Sequence, residues 1–170
     1  MSRRVFLNPG ELYFGSGEVL VETLLGSCVA IVLRHRERAV AGVCHFLLPE
    51  RIVVPKGVWT LDGRYGEDAF RLLMAQLRRN GHDPDEFEAK LFGGARVFDT
   101  QTVQESVGEG NARYARRLLK QAGMKLVCSD LGGSGYRYLR VDVGRGDVWV
   151  RYGGTMPTSA LQKIQAGLSG

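Results

Sequence analysis

Two of the three cysteines and two of the three histidines in this 170-residue chain fall within one stretch, residues 24–46, "LLGSCVAIVLRHRERAVAGVCHF". Cys28 follows a Gly-Ser pair, and Cys44 stands directly before His45. A thiolate is a strong nucleophile, and an imidazole within reach can take the thiol proton and return it to a leaving group. The chemistry on offer is attack on an acyl carbon, a tetrahedral intermediate, and hydrolysis of the resulting thioester. The turn at Gly26-Ser27 can leave backbone N–H groups, that of Cys28 among them, facing a developing oxyanion. A neighbouring imidazolium is expected to lower the thiol pKa from about 8.5 by several units.

Choosing between the two cysteines requires the elements that carry them. Residues 28–34 ("CVAIVLR") and 39–48 ("AVAGVCHFLL") are β-rich runs joined by a charged turn, which reads as a hairpin. A turn centred between Arg36 and Glu37 pairs Cys28 with His45 on one face and Cys44 with Val29 on the other. Directly opposed residues have Cβ atoms about 4.5–5.5 Å apart. Ala30, Val32, Val43 and Ala41 then share the Cys28 face, and their small size leaves room for a substrate. A slip of one residue would separate Cys28 from His45, and "HRER" has no Asn-Gly or Asp-Gly to fix the turn. A cysteine in an apolar strand is most often core packing, so the pattern alone leaves Cys28 divided between core and catalysis.

Other uses of these residues weigh less. The cysteines form no CxxC pair and suggest no disulfide framework. A zinc site from Cys28, Cys44, His45 and Cys128 is disfavoured, because adjacent strand residues point to opposite faces. "LFGGA" and "DLGGSG" lack a GK[ST] and a strand-glycine-helix layout, so close backbone packing near the site is the expected role of those glycines.

Around the hairpin, residues 3–23 alternate short apolar pieces with turn residues, giving two or three strands. Pro49 and Pro55 bracket a loop. Asp62 is expected to cap a helix with Tyr65, Ala69, Leu72, Leu73 and Leu77 on one face, ended by Asn80-Gly81. "FEAKLFGG" is a strand and residues 99–106 a polar connection. A second helix carries Ala112, Ala115, Leu118, Leu119 and Ala122 and stops at Gly123. "MKLVCSDLGG", "YRYLRVDV" and "DVWVRY" add three strands. Two helices among roughly eight strands define a single α+β domain with the helices packed on mixed sheets, residues 1–152, followed by a loose tail, 153–170.

The net charge of +5 excludes little. The basic residues are scattered without interleaved aromatics or a nucleic-acid motif, so a solvated surface is favoured, an acidic protein partner next, and nucleic acid last. No secretory leader and no apolar run long enough to cross a bilayer is legible, which reads as cytoplasmic.

With these residues in view, the chain resembles the bacterial chemoreceptor glutamine deamidase family, CheD. The resemblance lies in "TLLGSCVAIVL", "AGVCHFLLP", "YGEDAFRLLMAQLRRNG", "AKLFGGARVF", "VGEGNARYARRLL" and "SDLGG", in order from about residue 16 to residue 152. It implies an amidohydrolase that converts receptor glutamine side chains to glutamate and can hydrolyse receptor methyl esters. It also implies a fold of the cysteine-hydrolase type related to deamidating necrotizing-factor toxins. The cysteine nucleophile maps to Cys28 and the histidine base to His45. A family threonine maps to Thr23, with Glu22 as the alternative group to orient the imidazole. "VGEGN" stands where the family has an arginine-containing "IGxRN", a segment expected to shape the substrate groove. Partners implied are the cytoplasmic domain of a chemoreceptor and the chemotaxis phosphatase CheC; no cofactor or metal is implied. The rival readings are a non-catalytic module binding CheC, a small-molecule thiol amidase or esterase, and a plain scaffold with Cys28 in its core.

Overall fold

The structure is a computed structural model that describes residues 2–53, 56–57, 60–97 and 104–154. Its described elements are nine strands and two α-helices: β1 (Arg3–Leu7), β2 (Leu12–Ser16), β3 (Val19–Leu25), β4 (Val29–His35), β5 (Val40–Phe46), α1 (Gly66–Arg79), β6 (Phe87–Gly93), α2 (Val107–Gln121), β7 (Leu126–Leu131), β8 (Tyr136–Asp142) and β9 (Val148–Gly153). They build a four-stranded sheet, β1-β3-β8-β9, and a five-stranded sheet, β2-β5-β4-β6-β7. Each sheet contains one parallel pair, β1–β3 and β6–β7, so both are mixed. This is the expected α+β architecture. The proposed tail lies outside the described residues from position 155, as does most of the 99–106 connection.

Three layers follow from the burial pattern. The inner face of the four-stranded sheet offers Val19, Val21, Leu25, Leu139 and Val141 to Ala30, Val32, Ala41, Val43 and Phe92 of the five-stranded sheet. The opposite face of that second sheet, with Val29, Ile31, Leu33 and Cys44, meets Ala69, Leu73 and Leu77 of α1 and Ala115 and Leu119 of α2. Strand β4 is therefore buried on both faces, which is why "CVAIVLR" is almost continuously apolar instead of alternating. Each fully buried aliphatic side chain here contributes about 1.5–3 kcal/mol. The small residues expected to leave room for a substrate are instead filled against by the facing sheet.

The hairpin forms, but its register is shifted by two residues. Ala30 pairs with His45, and Ile31 with Cys44. The cause is the turn, which occupies Arg36–Ala39 and is organised by His35. The His35 Nδ1 accepts the backbone N–H groups of Glu37 and Arg38, both at 3.0 Å. That imidazole does the work an Asn-Gly pair would otherwise do. A shift of two preserves the alternation of faces, so Cys28 still shares its side of the sheet with His45 while Cys44 points into the helix layer.

Helix α1 starts later than expected, at Gly66 with Tyr65 as N-cap and without a side-chain cap. The Asp62 carboxylate is engaged by the Arg64 guanidinium, with Nη2 to Oδ2 at 2.7 Å. In α2 the cap is Ser106, which accepts from Glu109 N–H while the Glu109 carboxylate accepts from Ser106 N–H.

Candidate active site

Cys28 occupies the connection by which the chain leaves the four-stranded sheet at Leu25 and enters the five-stranded sheet at Val29. Its side chain is fully buried between the sheets. Three consecutive carbonyls of this connection are held by two chain segments. Gly26 O accepts from Ala95 N–H at 2.9 Å, Ser27 O from Asn111 Nδ2 at 3.0 Å, and Cys28 O from Gly94 N–H at 2.8 Å. The glycines of "LFGGA" allow this approach. Gly93 has φ of +107°, and a Cβ there would lie 2.2 Å from Cys28 O. Close backbone packing is thus their role.

His45 lies on β5, with its own backbone fixed by Glu11 O and Gly10 N–H. Thr23 lies on β3 of the facing sheet. Thr23 Oγ1 is 2.8 Å from Leu7 O and 2.7 Å from His45 Nδ1, all in buried surroundings. These two contacts fix the imidazole tautomer. A carbonyl can only accept, so the single hydroxyl proton of Thr23 goes to Leu7 O. Nδ1 must then donate its own proton to Thr23 Oγ1. The lone pair resides on Nε2, which is buried and has no hydrogen-bond partner among the described residues. Glu22, the alternative orienter, faces the other way. It pairs in register with Arg140, whose Nε donates to Glu22 Oε1 at 2.8 Å on the outer face of the sheet.

The electrostatics reverse one expectation. Burial pushes the Cys28 thiol up to about 12, opposed only weakly by its own backbone N–H, and pushes His45 down to about 3. At neutral pH both are uncharged, and no imidazolium is present to lower the thiol. Desolvation of two groups that sit between apolar sheets outweighs the gain of forming an ion pair there. Cys44, also pushed up to about 12 by burial, is packed in the helix-facing core, away from His45. Cys128 is exposed on the edge strand β7.

Asn111 was not singled out by its sequence context. It is fully buried on α2, and its Nδ2 donates to Leu47 O at 2.7 Å as well as to Ser27 O. The available signal is a polar residue on the same helical face as Gly108 and Ala115, all of them buried. A second titratable group, His35, His82 and Glu86, has its ligand atoms within 4.8 Å of one another. Because His35 Nδ1 accepts two backbone N–H groups, the neutral ring carries its proton on Nε2 and offers no lone pair to a cation. That cluster shapes the turn.

A thiol and an unprotonated imidazole nitrogen thus lie on one sheet face of an α+β sandwich, with a threonine holding the tautomer from the opposite sheet. The family described as CheD chemotactic sensory transduction matches residues 47–152. This chain is 43% identical over 149 residues to the probable chemoreceptor glutamine deamidase CheD 3 of Dechloromonas aromatica, covering 87% of this chain and 86% of that one. It is 38% identical to a probable chemoreceptor glutamine deamidase CheD of Pseudomonas savastanoi pv. phaseolicola, covering 94% and 88%. With the corresponding protein of Pyrococcus abyssi the identity is 37%, covering 89% and 93%. The chain belongs to the CheD family. A solved structure, the hypothetical protein YfiH of Bacillus licheniformis, aligns with a TM-score of 0.40 and 15% identity over 68% of this chain and about half of that one, 48%.

Proposed function

We propose that the protein deamidates glutamine side chains of chemoreceptors, with Cys28 as nucleophile, His45 as general base and then acid, and Thr23 as the residue that orients His45. The observation that carries this reading is the Thr23–His45 bond, which leaves a free Nε2 lone pair on the face that Cys28 occupies. Catalytic hydrogen bonds in a resting enzyme are commonly unmade and tighten with substrate, so the unpartnered Nε2 fits a base that engages the thiol on arrival of the carboxamide.

As Sγ bonds to the carboxamide carbon, its proton passes to Nε2 and the carbonyl electrons move onto oxygen, which Cys28 N–H receives. The C–N bond then breaks, and His45 returns the proton so that ammonia leaves. Water attacks the thioester, His45 takes one of its protons, and expulsion of the Cys28 sulfur, reprotonated by His45, releases glutamate. The same steps with methanol as leaving group would hydrolyse a receptor methyl ester. None of them calls for a metal or organic cofactor.

A substrate on the cytoplasmic domain of a receptor puts the protein in the cytoplasm. Among the described residues no helix is long and apolar enough to cross a membrane. We extend the reading to CheC as a binding partner and to kinship with the deamidating necrotizing-factor toxins. The test incubates a receptor cytoplasmic fragment from the same organism with wild type, Cys28→Ala and Cys44→Ala, and maps glutamine-to-glutamate conversion by peptide mass spectrometry. Conversion lost only with Cys28→Ala is expected. Loss only with Cys44→Ala would overturn the assignment, and no conversion by wild type would favour a module that only binds.

A further inference from the structure

Asn111 has no part in the steps above, yet it touches the two chain segments that carry them. Its amide is wholly buried, and the two Nδ2 protons go to the carbonyls of Ser27 and Leu47. Ser27 directly precedes the nucleophile, and Leu47 follows His45 by two residues. The orientation of the amide is forced, since the reverse would set Oδ1 against two carbonyl oxygens. Oδ1 is left buried without a partner among the described residues. A buried acceptor left unsatisfied is a cost, so the group is kept for what its NH₂ holds.

What it holds is a peptide plane. The Ser27–Cys28 bond is trans, so its C=O and N–H point in opposite directions. Drawing Ser27 O toward α2 aims Cys28 N–H away from α2. Gly26 O and Cys28 O, on either side, are fixed by the backbone amides of Ala95 and Gly94, and Ser27 O is the one of the three fixed by a side chain. The short reach of an asparagine suffices because α2 comes in close: a Cβ on Gly108 would lie 2.2 Å from Ala95 O, and one on Gly94 would lie 2.8 Å from Gly108 O.

We infer that Asn111 is a positioning residue for the oxyanion donor, clamping Ser27 O so that Cys28 N–H is preset toward the reacting carbonyl; the inference rests on the deamidase reading. It differs from a residue that merely supports the fold in acting on the tetrahedral intermediate and not on the thiol. Alkylation of Cys28 by iodoacetamide, a direct displacement without an oxyanion, separates the two.

The experiment compares wild type, Cys28→Ala, Asn111→Asp and Asn111→Leu. The aspartate variant replaces the donor by an acceptor, and the leucine variant keeps the volume with neither. In whichever Asn111 variant folds, kcat for glutamine conversion is expected to fall about a hundredfold, with KM unchanged within about threefold. The slow labelling of Cys28 should stay within about threefold of wild type, because a preset plane is not a thiol effect. A folded variant with wild-type kcat would overturn the inference. So would Cys28 labelling that changes in step with the loss of activity, which marks a loosened loop. If neither variant folds, Asn111 holds the fold and the inference fails. A wild type without conversion sinks the deamidase reading itself, which separates that failure from this one.

Discussion

Thr23 and His45 belong to different sheets, and the 2.7 Å bond between them crosses the sandwich. Its direction is set by a third residue, because the Leu7 carbonyl takes the threonine's only proton. The imidazole is thus held by a neutral hydroxyl and not by a carboxylate, which suits a ring that stays uncharged when buried.

Thr23→Val removes the acceptor for Nδ1–H. The imidazole then favours the other tautomer or rotates, and kcat for deamidation should drop by about a hundredfold or more. Thr23→Ser should retain activity within about threefold of wild type. Glu22→Gln, on the outer face beside Arg140, should leave the rate unchanged. Steady-state kinetics on a receptor fragment decides between them; a large loss in Glu22→Gln would make the carboxylate the orienter after all.

The pH dependence of kcat/KM should be flat through the acid side of neutrality. His45 must be neutral to accept a proton, and it remains so until about pH 3. A thiolate–imidazolium pair would instead give a bell with an acid limb. An acid limb near pH 6.5 that disappears on no other substitution would mean that His45 titrates at its ordinary value.

Stability should fall as the medium is acidified below pH 6.5. The unfolded chain binds a proton at His45 near 6.5, whereas the folded chain does so only near 3, so the unfolded state holds more protons in between. The contribution is complete above 6.5 and is lost progressively toward 3. Urea unfolding of wild type and His45→Gln at pH 7 and pH 5 measures it. An equal decline in the two proteins would refute the assignment to His45.

Gly93→Ala should be severe for both fold and activity. The conformation alone costs a residue with a Cβ roughly 1–3 kcal/mol, and the added methyl would sit 2.2 Å from Cys28 O. Thermal unfolding together with the conversion assay checks this; a variant within about 1 kcal/mol of wild type would mean that the strand edge yields easily.

Much of the site was legible because strands alternate with a period of two. An error of two residues in the hairpin left Cys28 and His45 on one face and Cys44 on the other. The true register was not legible, because the turn is built by the His35 imidazole on two backbone amides and no Asn-Gly signals it. Thr23 and Glu22 could be told apart only once the inner face of the other sheet was known. The neutral resting state of Cys28 and His45 was hidden too, since desolvation depends on the facing sheet and not on neighbours in the chain. The capping box at Ser106 and Glu109 was written in the sequence, as a serine three residues before a glutamate. Asn111 left only the trace of a polar residue on an apolar helical face.

The set drawn together here takes Thr23 from one sheet, Cys28 and His45 from the other, and Asn111 from the helical layer. No single layer holds all of it. During refolding, catalytic competence would therefore be the last property to return, after secondary structure and after either sheet had formed by itself. A chain caught half-assembled would carry the thiol without the groups that the finished sandwich places around it.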